Sequence, residues 1–446
     1  LAHTWHFKPV NIKLFFARTM LQVMLDSPEM LSSLRVLEPL GITGHNAKLD
    51  DDSLAAGDRF MEQMKEANRV LLSYEDEDLS EADLMSKRIA ATMLGALVEG
   101  EKFRFHTFPV NQMFGVQSNF PSFMESTHQV HSVGDAEDYV SRLRAVSLKF
   151  DQVLEGLRKR EELEIFPPQF VVTKVLEEMR NFVATPVEEG ILMKALLNKM
   201  EEAELPEDEQ QRLALEARAA IEETVYPAYG RLIAYFEALD EKVEGNYGAW
   251  SLPDGEDYYQ LSLKLFTTTD YDPQYIHSLG VEEVDRIQAE ILGILAAEGW
   301  DVSGGFTAAI DELAESPRFY FSDSGEGREE ILAEYEALID EVNASLEPWF
   351  DVVPENPVEV RRVPEFKEKT APGAYYEPPA MDGSRPGVVY ANLYDIKATP
   401  KYGMRTLTYH EAIPGHHFQL AIQQEQEDLP FFRRLIPFPA YTEGWG

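Results

Sequence analysis

The stretch YHEAIPGHHFQ, residues 409–419, decides how the rest of this chain is interpreted. His410, His416 and His417 are three of the ten histidines of the chain, and Glu411 directly follows the first of them. In the standard zinc-peptidase arrangement, two His residues four apart on one helix bind zinc and the Glu beside the first His is the general base. Four residues turn a helix by about 400°, so both imidazoles can reach one ion at about 2.0–2.1 Å. The pair His410-Glu411 therefore predicts a zinc site with Glu411 as catalytic base.

Pro414 occupies the position at which the second His of that arrangement should stand. Proline has no N–H to donate to the carbonyl of residue 410, and its ring crowds that carbonyl. The helix is therefore predicted to break or bulge directly after its first ligand. Gly415 supplies the backbone freedom that such a distortion needs.

The distortion determines which later histidine reaches the metal. In an undistorted helix, His416 would lie about 120° from His410 around the axis. His417 would lie on the correct face, but about 10.5 Å further along. Because a local bulge would return His416 to the ligand face, we predict His416 as the second ligand and keep His417 as the alternative.

A catalytic zinc site usually has three protein ligands and one open position. The chain contains no Cys, so the third ligand has to be acidic or another His. Glu425, Glu427 and Asp428 belong to a polar run that is typical of a solvated helix face. Glu443 lies in the segment YTEGWG, residues 441–446, which follows a Pro-rich turn. We predict Glu443 as the third ligand, on a second helix that packs against the first.

The charge balance narrows the classes of partner. The 446 residues include 40 Lys and Arg against 79 Asp and Glu, a formal net charge of −39. Nucleic-acid binders and proteins of anionic membrane surfaces collect positive charge, so both classes are disfavoured. The apolar stretch within the first twenty residues is too short for a membrane span, and charged residues interrupt it. A soluble protein is expected, either cytoplasmic or exported after removal of a signal.

Apolar residues at helical spacing dominate the first half of the chain. Helices are predicted at 53–74, 83–102, 135–160, 168–182 and 208–239, with Asp135 as the N-cap of the third. The predicted organisation is an N-terminal helical region, residues 1–240, and a catalytic region, residues 241–446, which could also form one continuous domain. The chain stops within what is predicted to be a helix, so further residues are expected to follow.

The second region mixes helices with a few strands. Asp272-Pro273 is predicted to start a short helix that Gly280 ends, before a second helix over 281–297. The Pro- and Gly-rich segment 372–386 is predicted to be loop, and 388–393 to be a strand. Such a strand could pair with an extended peptide if it lies at a sheet edge. The expected fold is mainly α, with a small β-sheet beside the metal-binding helix.

Several separate segments carry a family resemblance. They are GNYGAWSLPDGEDYY at 245–259, TTTDYDPQYIHSLGVEEVDRI at 267–287, PPAMDGSRPGVVYANL at 378–393, the motif at 409–419 and the segment at 441–446. In this order they resemble the bacterial family known as domain of unknown function 885. That family is similar to zinc metallopeptidases with a His-Glu motif and a distant Glu ligand, such as the carboxypeptidase Taq and thimet oligopeptidase groups. The resemblance implies a large multi-helix metallopeptidase-like fold, with a groove and a small sheet beside the zinc helix.

These observations together predict a zinc-dependent peptide hydrolase. A water on the Zn²⁺ ion, activated by Glu411, would attack the peptide bond, and a hydrogen-bond donor would stabilise the oxyanion. Candidate donors or substrate contacts are His417, Tyr390 and Tyr441. Two alternatives remain: a metal-dependent hydrolase of non-peptide amides or esters, and a helical binding protein that keeps the motif without catalysis.

Overall fold

A computed structural model describes residues 7–245, 247–436 and 438–446. Over these residues the chain is mainly helical, with one three-stranded sheet in its last quarter. The predicted fold class, mainly α with a small sheet, is confirmed. No helix in the described ranges combines the length and the apolar composition that crossing a bilayer requires.

The N-terminal part of the described chain is built from helices that pack around two apolar cores. They are α1 (Ile12–Leu25), α2 (Pro28–Leu34), α3 (Leu54–Leu72), α4 (Glu81–Glu99), α5 (Val116–Ser122), α6 (Val133–Glu162), α7 (Gln169–Ala184), α8 (Ile191–Glu202), α9 (Glu207–Ala220) and α10 (Tyr226–Asp240). The predicted helices correspond to α3, α4, α6, α7 and the pair α9–α10, which a π-helical turn at 221–225 connects. Helices α1, α2, α5 and α8 were not predicted.

Helix α6 lies at the centre of the larger of these cores. Its apolar positions recur at helical spacing, so that Tyr139, Leu143 and Phe150 are fully buried. Phe150 contacts Tyr229 of α10 edge to face, at 5.0 Å between ring centroids. Tyr229 also contacts Phe182 of α7, at 4.4 Å between ring centroids. Since each of these aromatic side chains buries a large apolar surface, their contacts fix α7 and α10 relative to α6.

The predicted cap of α6 is wrong by three residues. The helix begins at Val133, and the Oγ of Ser132 accepts a hydrogen bond from the N–H of Asp135 at 3.2 Å. The Asp135 carboxylate in turn accepts from the Ser132 hydroxyl at 2.8 Å and from the N–H of His131. Asp135 is therefore the third residue of the helix and takes the acidic position of a capping box.

The second region continues with helices before its sheet. They are α11 (Gly255–Thr267), α12 (Pro273–Ala297), α13 (Gly305–Glu315) and α14 (Gly325–Asn343). Asp272 caps α12 as predicted, because its side chain accepts from the N–H of Tyr275. The predicted end at Gly280 is wrong, since α12 runs through it as one helix of 25 residues. A single Gly inside a helix costs only about 1 kcal/mol, and no Pro follows it to remove a backbone donor.

Strands β1 (Val358–Arg362), β2 (Ala374–Glu377) and β3 (Gly387–Ala391) form the sheet in the order β1-β3-β2. Strand β3 is parallel to β1 and antiparallel to β2. It is central rather than an edge, so the predicted addition of a peptide strand to β3 is wrong. The prediction of a loop over 372–386 is also wrong in part, because β2 lies inside this segment.

The remaining helices carry the motif and the C-terminal segment. They are α15 (Lys401–Glu411), α16 (His416–Glu425), α17 (Phe431–Leu435) and α18 (Pro439–Trp445). Helices α15 and α16 lie against β2, so the sheet is beside the motif as predicted. Apolar residues of α14, β1, β3 and α16 form one core around Ile331, Val389 and Phe418.

The two regions of the chain make direct contacts. Phe432 of α17 belongs to the apolar core of α1, α3 and α4, where its ring lies 5.0 Å from that of Phe16. Lys367 donates from Nζ to the Oγ of Ser122 at 2.9 Å, in buried surroundings. Helix α10 ends at Asp240, but the division into regions 1–240 and 241–446 stays a prediction.

Glu178 of α7 provides a pH-dependent contact between these regions. Its side chain is 2% exposed and accepts from the Oγ1 of Thr370 at 3.4 Å. Burial raises its pKa from 4.5 to about 8, against smaller opposing effects of Gln117 and Lys367. The folded protein thus holds a proton that the unfolded chain releases between about pH 4.5 and pH 8.

We therefore expect Glu178→Gln to change how stability depends on pH. In the wild type, this group contributes a loss of stability as the pH rises through that window, because the unfolded state binds fewer protons. The neutral amide removes the loss, so the variant should gain about 1–3 kcal/mol over the wild type between pH 5 and pH 8. Thermal unfolding at both pH values tests this. Glu177→Gln, on the exposed face of the same helix, is the control, and an equal gain there would contradict the assignment.

Candidate metal centre

The motif forms two helices rather than one. Helix α15 ends at Glu411, and the last backbone bond of its ladder runs from the N–H of Ala412 to the carbonyl of Thr408 at 2.9 Å. The chain then turns over residues 412–415, where the Ile413–Pro414 peptide is cis, and α16 begins at His416. The predicted break after the first His is present, and it takes the form of an interhelical turn rather than a bulge.

Gly415 allows the two helices to meet closely. A Cβ at this position would lie 2.0 Å from the carbonyl oxygen of His410 and 2.1 Å from that of Tyr409. Both atoms belong to the backbone of α15, so neither can move aside as a flexible side chain would. The start of α16 therefore packs directly on the end of α15, which brings residue 416 close to residue 410.

Three side chains converge at this junction. The His410 and His416 rings lie 4.4 Å apart between centroids, at an interplanar angle of 68°. The Oε2 of Glu443 on α18 lies 3.7 Å from the Nε2 of each ring. One ligand atom from each of the three residues lies within 4.8 Å of the other two. The side chains of His410, His416 and Glu443, called the triad below, are thus brought together; that they bind a metal stays a prediction.

The triad fits the requirements of a zinc site. Two His nitrogens and one carboxylate oxygen are a common ligand set for catalytic zinc. Ligands about 2.1 Å from one tetrahedral ion are separated by about 3.4 Å, so the 3.7 Å distances to Glu443 need only a small adjustment. Burial, and then the neighbouring His410, lower the pKa of His416, which keeps its imidazole neutral with a lone pair for a metal.

His417, the alternative second ligand, points to a different environment. It is 1% exposed, and its Nε2 lies 3.1 Å from the carbonyl oxygen of Asn356. Since a carbonyl only accepts, Nε2 carries the proton and Nδ1 accepts from the hydroxyl of Tyr376 at 2.9 Å. Burial lowers the pKa of His417 to about 4. Both nitrogens are occupied, so His417 fixes α16 against β2 and has no free nitrogen for a metal.

Glu425 also helps to position α16. Its carboxylate accepts hydrogen bonds from the backbone N–H groups of Glu355 and Asn356, at 3.0–3.2 Å, and from the side-chain amide of Asn356. His417 and Glu425 lie about two helical turns apart on α16. Both therefore bind the same loop, at residues 355–356. The axial position of α16, and with it that of His416, is set by this loop before β1.

Glu411 lies beside the triad without belonging to it. It is 7% exposed, and burial raises its pKa; the charge of His410 opposes this rise and that of Glu443 adds to it. Burial, and then the charge of Glu411, raise the pKa of Tyr335 on α14 to about 12. A buried carboxyl directly next to a group of candidate metal ligands is the arrangement that general-base chemistry needs.

The two predicted tyrosines take different places. Tyr390 is 3% exposed on β3 and stacks on Tyr375 at 4.9 Å, whereas its strand neighbour Val389 packs into the core with α16. Because side chains alternate across a strand, Tyr390 faces away from the motif helices, which does not support the predicted contact. Tyr441 is exposed on α18, two residues before Glu443, and stacks on Trp445.

Sequence comparison agrees with the predicted family. Residues 37–446 match the family described as "Bacterial protein of unknown function (DUF885)". The chain belongs to the DUF885 family. No curated protein matches this DUF885 chain.

Two solved structures resemble the DUF885 chain, and both are described as "putative lipoprotein". The protein from Colwellia psychrerythraea is 29% identical, with a TM-score of 0.87 over 97% of this chain and 76% of its own. The protein from Shewanella oneidensis, 15% identical, has a TM-score of 0.58 over 98% of this chain and 77% of its own. The second likeness is one of fold alone.

The sequence did not predict the roles of two side chains around the triad, Tyr376 and Trp445. Tyr376 lies in the segment that was predicted to be loop, so its pairing with His417 could not be inferred. Trp445 donates from Nε1 to the carbonyl of Pro414 at 2.6 Å and so ties α18 to the interhelical turn. The segment YTEGWG contained a signal for this contact, because a Trp two residues after a candidate ligand needs a partner for its N–H when it packs.

Proposed function

We propose that this DUF885 protein is a zinc-dependent peptide hydrolase. The observation that carries the proposal is the convergence of His410, His416 and Glu443 beside the buried carboxyl of Glu411. A zinc ion bound by the triad would supply a Lewis acid that polarises a carbonyl and makes water acidic enough to be deprotonated near pH 7. The largely helical fold with a small sheet beside the motif is compatible with the metallopeptidase-like fold that the family resemblance implies.

The role of Glu411 follows from its position. It comes directly after His410 on α15, and its carboxyl is buried next to the triad. In the proposed reaction Glu411 takes one proton from the attacking water, and the water oxygen joins the carbonyl carbon. Glu411 then donates this proton to the nitrogen as the C–N bond breaks, so that an acid and an amine leave and the carboxylate is regenerated.

His417 and Glu425 have a positioning role in this proposal. They hold α16 on the loop at residues 355–356, and thereby keep His416 opposite His410. Neither side chain needs to contact the substrate.

A location outside the cytoplasm is also proposed, because the similar Colwellia protein is described as a "putative lipoprotein". Fractionation of cells that produce the native precursor tests this location.

Metal analysis and proteolysis test the function together. Protein purified without chelators should carry about one zinc per chain and cleave a mixed peptide library, and a chelator should abolish both. His410→Ala should lose the zinc, whereas His131→Ala, an exposed histidine outside the triad, should retain it. Zinc retained in full by His410→Ala would exclude the triad as the site. A zinc-loaded wild type that cleaves no peptide would favour the non-peptide or non-catalytic alternatives.

A further inference from the structure

A cavity of about 570 Å³ lies between α4, α16, α17 and α18. Its wall is mostly aromatic and aliphatic, and Phe418, Phe432, Tyr441 and Trp445 are among its largest members. This volume falls within the range of small-molecule sites and exceeds the volume of a packing defect. The cavity is therefore large enough to accept an apolar group from a ligand.

The cavity lies next to the triad. Gln419, in its wall, follows His416 by three residues, which places the two side chains about 60° apart around α16 and about 4.5 Å apart along it. Trp445, also in the wall, directly precedes Gly446, where a Cβ would lie 3.0 Å from an atom of the His410 ring and 3.0 Å from an atom of the His416 ring. Since consecutive Cα atoms of a peptide are about 3.8 Å apart, a residue next to a bond held at the triad can reach the cavity.

One polar group in the wall has an unmet hydrogen-bond requirement. Gln423 donates from Nε2 to the carbonyl of Arg433 at 2.6 Å, so its Oε1 is an acceptor. Gln419 must therefore turn its NH₂ group to that oxygen, at 2.7 Å. This leaves the Oε1 of Gln419, a residue 9% exposed, buried without a partner among the described residues. A ligand with an N–H donor would satisfy this acceptor.

We infer that this cavity binds a large apolar side chain of a peptide substrate, at a residue adjacent to the bond presented to the triad. The inference rests on the proposed function and specifies its substrate class. The apolar wall removes the side chain from water, and the Gln419 amide oxygen accepts a hydrogen bond from the peptide backbone. Burying a Leu or Phe side chain strengthens binding by about 10- to 100-fold relative to Ala.

Binding without turnover tests this inference separately from catalysis. The probes are the blocked peptide acetyl-Ala-Ala-Ala-Ala-amide and four relatives with Phe at each position in turn. Their Kd values are measured by calorimetry on zinc-loaded Glu411→Gln protein. At least one Phe peptide should bind about 10-fold or more tightly than the all-Ala peptide.

Filling the cavity should abolish that preference. Met93→Trp, introduced from α4, should reduce the ratio of Phe to Ala affinities to about 1, and Ala440→Trp, from α18, is a second filling variant in case the first does not fold. Met85→Trp, at an exposed site on the same helix as Met93, is the matched control and should keep the full ratio. Gln419→Met should weaken all five peptides by about 5- to 10-fold.

The possible outcomes separate the two proposals. Equal Kd values for all five peptides, or a Phe preference that both filling variants retain, would overturn the cavity assignment. A wild type that hydrolyses none of the peptides, with the Phe preference still present in Glu411→Gln, would instead overturn the proposed function and leave an apolar peptide-binding site.

Discussion

Glu411→Gln should lower kcat/KM for peptide cleavage by about 10³-fold while the zinc content stays at the wild-type value. Gln has the shape of Glu but cannot take a proton from water at neutral pH. The carboxyl of Glu411 lies outside the triad, so its replacement removes no metal ligand. The expected loss is therefore one of proton transfer, which appears in kcat more than in KM.

Two measurements make this result specific. Zinc per chain and the thermal midpoint of unfolding should match the wild type, because the substitution is nearly isosteric. Glu427→Gln, in the exposed polar run after α16, should keep wild-type activity. Glu411→Gln activity within tenfold of the wild type would show that another group transfers the proton.

The sequence predicts the triad largely because each member obeys a local rule. His410-Glu411 is a short motif with a known geometry, and Pro414 makes a helix break unavoidable. Glu443 follows from the need for a third ligand in a chain without Cys. Helix periodicity likewise predicts α3, α4 and α6, since each buries one apolar face.

The sequence favours His416 over His417 less strongly than it favours His410 and Glu443. Across a helix break, the direction of the next side chain depends on tertiary contacts rather than on the helical repeat. Here two contacts matter: Gly415 packs against the α15 carbonyls, and His417 pairs with Tyr376. His417 and Tyr376 are distant from each other in the sequence. Tyr376 was further obscured because β2 is short and lies between prolines and glycines.

Gly387 illustrates the same limit. A Cβ at this residue of β3 would lie 2.7 Å from both the Nδ1 of His417 and the hydroxyl of Tyr376. The residue must be small because a hydrogen-bonded pair from two other elements occupies the space above it. Nothing in the local sequence of β3 indicates this requirement.

Gly415→Ala should disrupt the triad without altering any of its side chains. The added methyl group would lie about 2 Å from two carbonyl oxygens of α15, so the start of α16 must move away by about 1 Å. Such a shift separates His416 from His410. We expect zinc affinity to fall by about 10- to 100-fold, peptide cleavage by about 100-fold, and the free energy of unfolding by about 1–3 kcal/mol.

Gly403→Ala is the matched control for this variant. Gly403 lies on α15 as well, and a Cβ there would be 3.7 Å from the nearest heavy atom, a ring carbon of Pro400, which is ordinary contact. Inside a helix, Ala is more favourable than Gly by about 1 kcal/mol, so this control should be as stable as the wild type or more stable. Zinc titration and thermal unfolding of both variants separate the two effects. If Gly415→Ala bound zinc as tightly as Gly403→Ala, the close packing of α16 on α15 would not be what holds His416 in the triad.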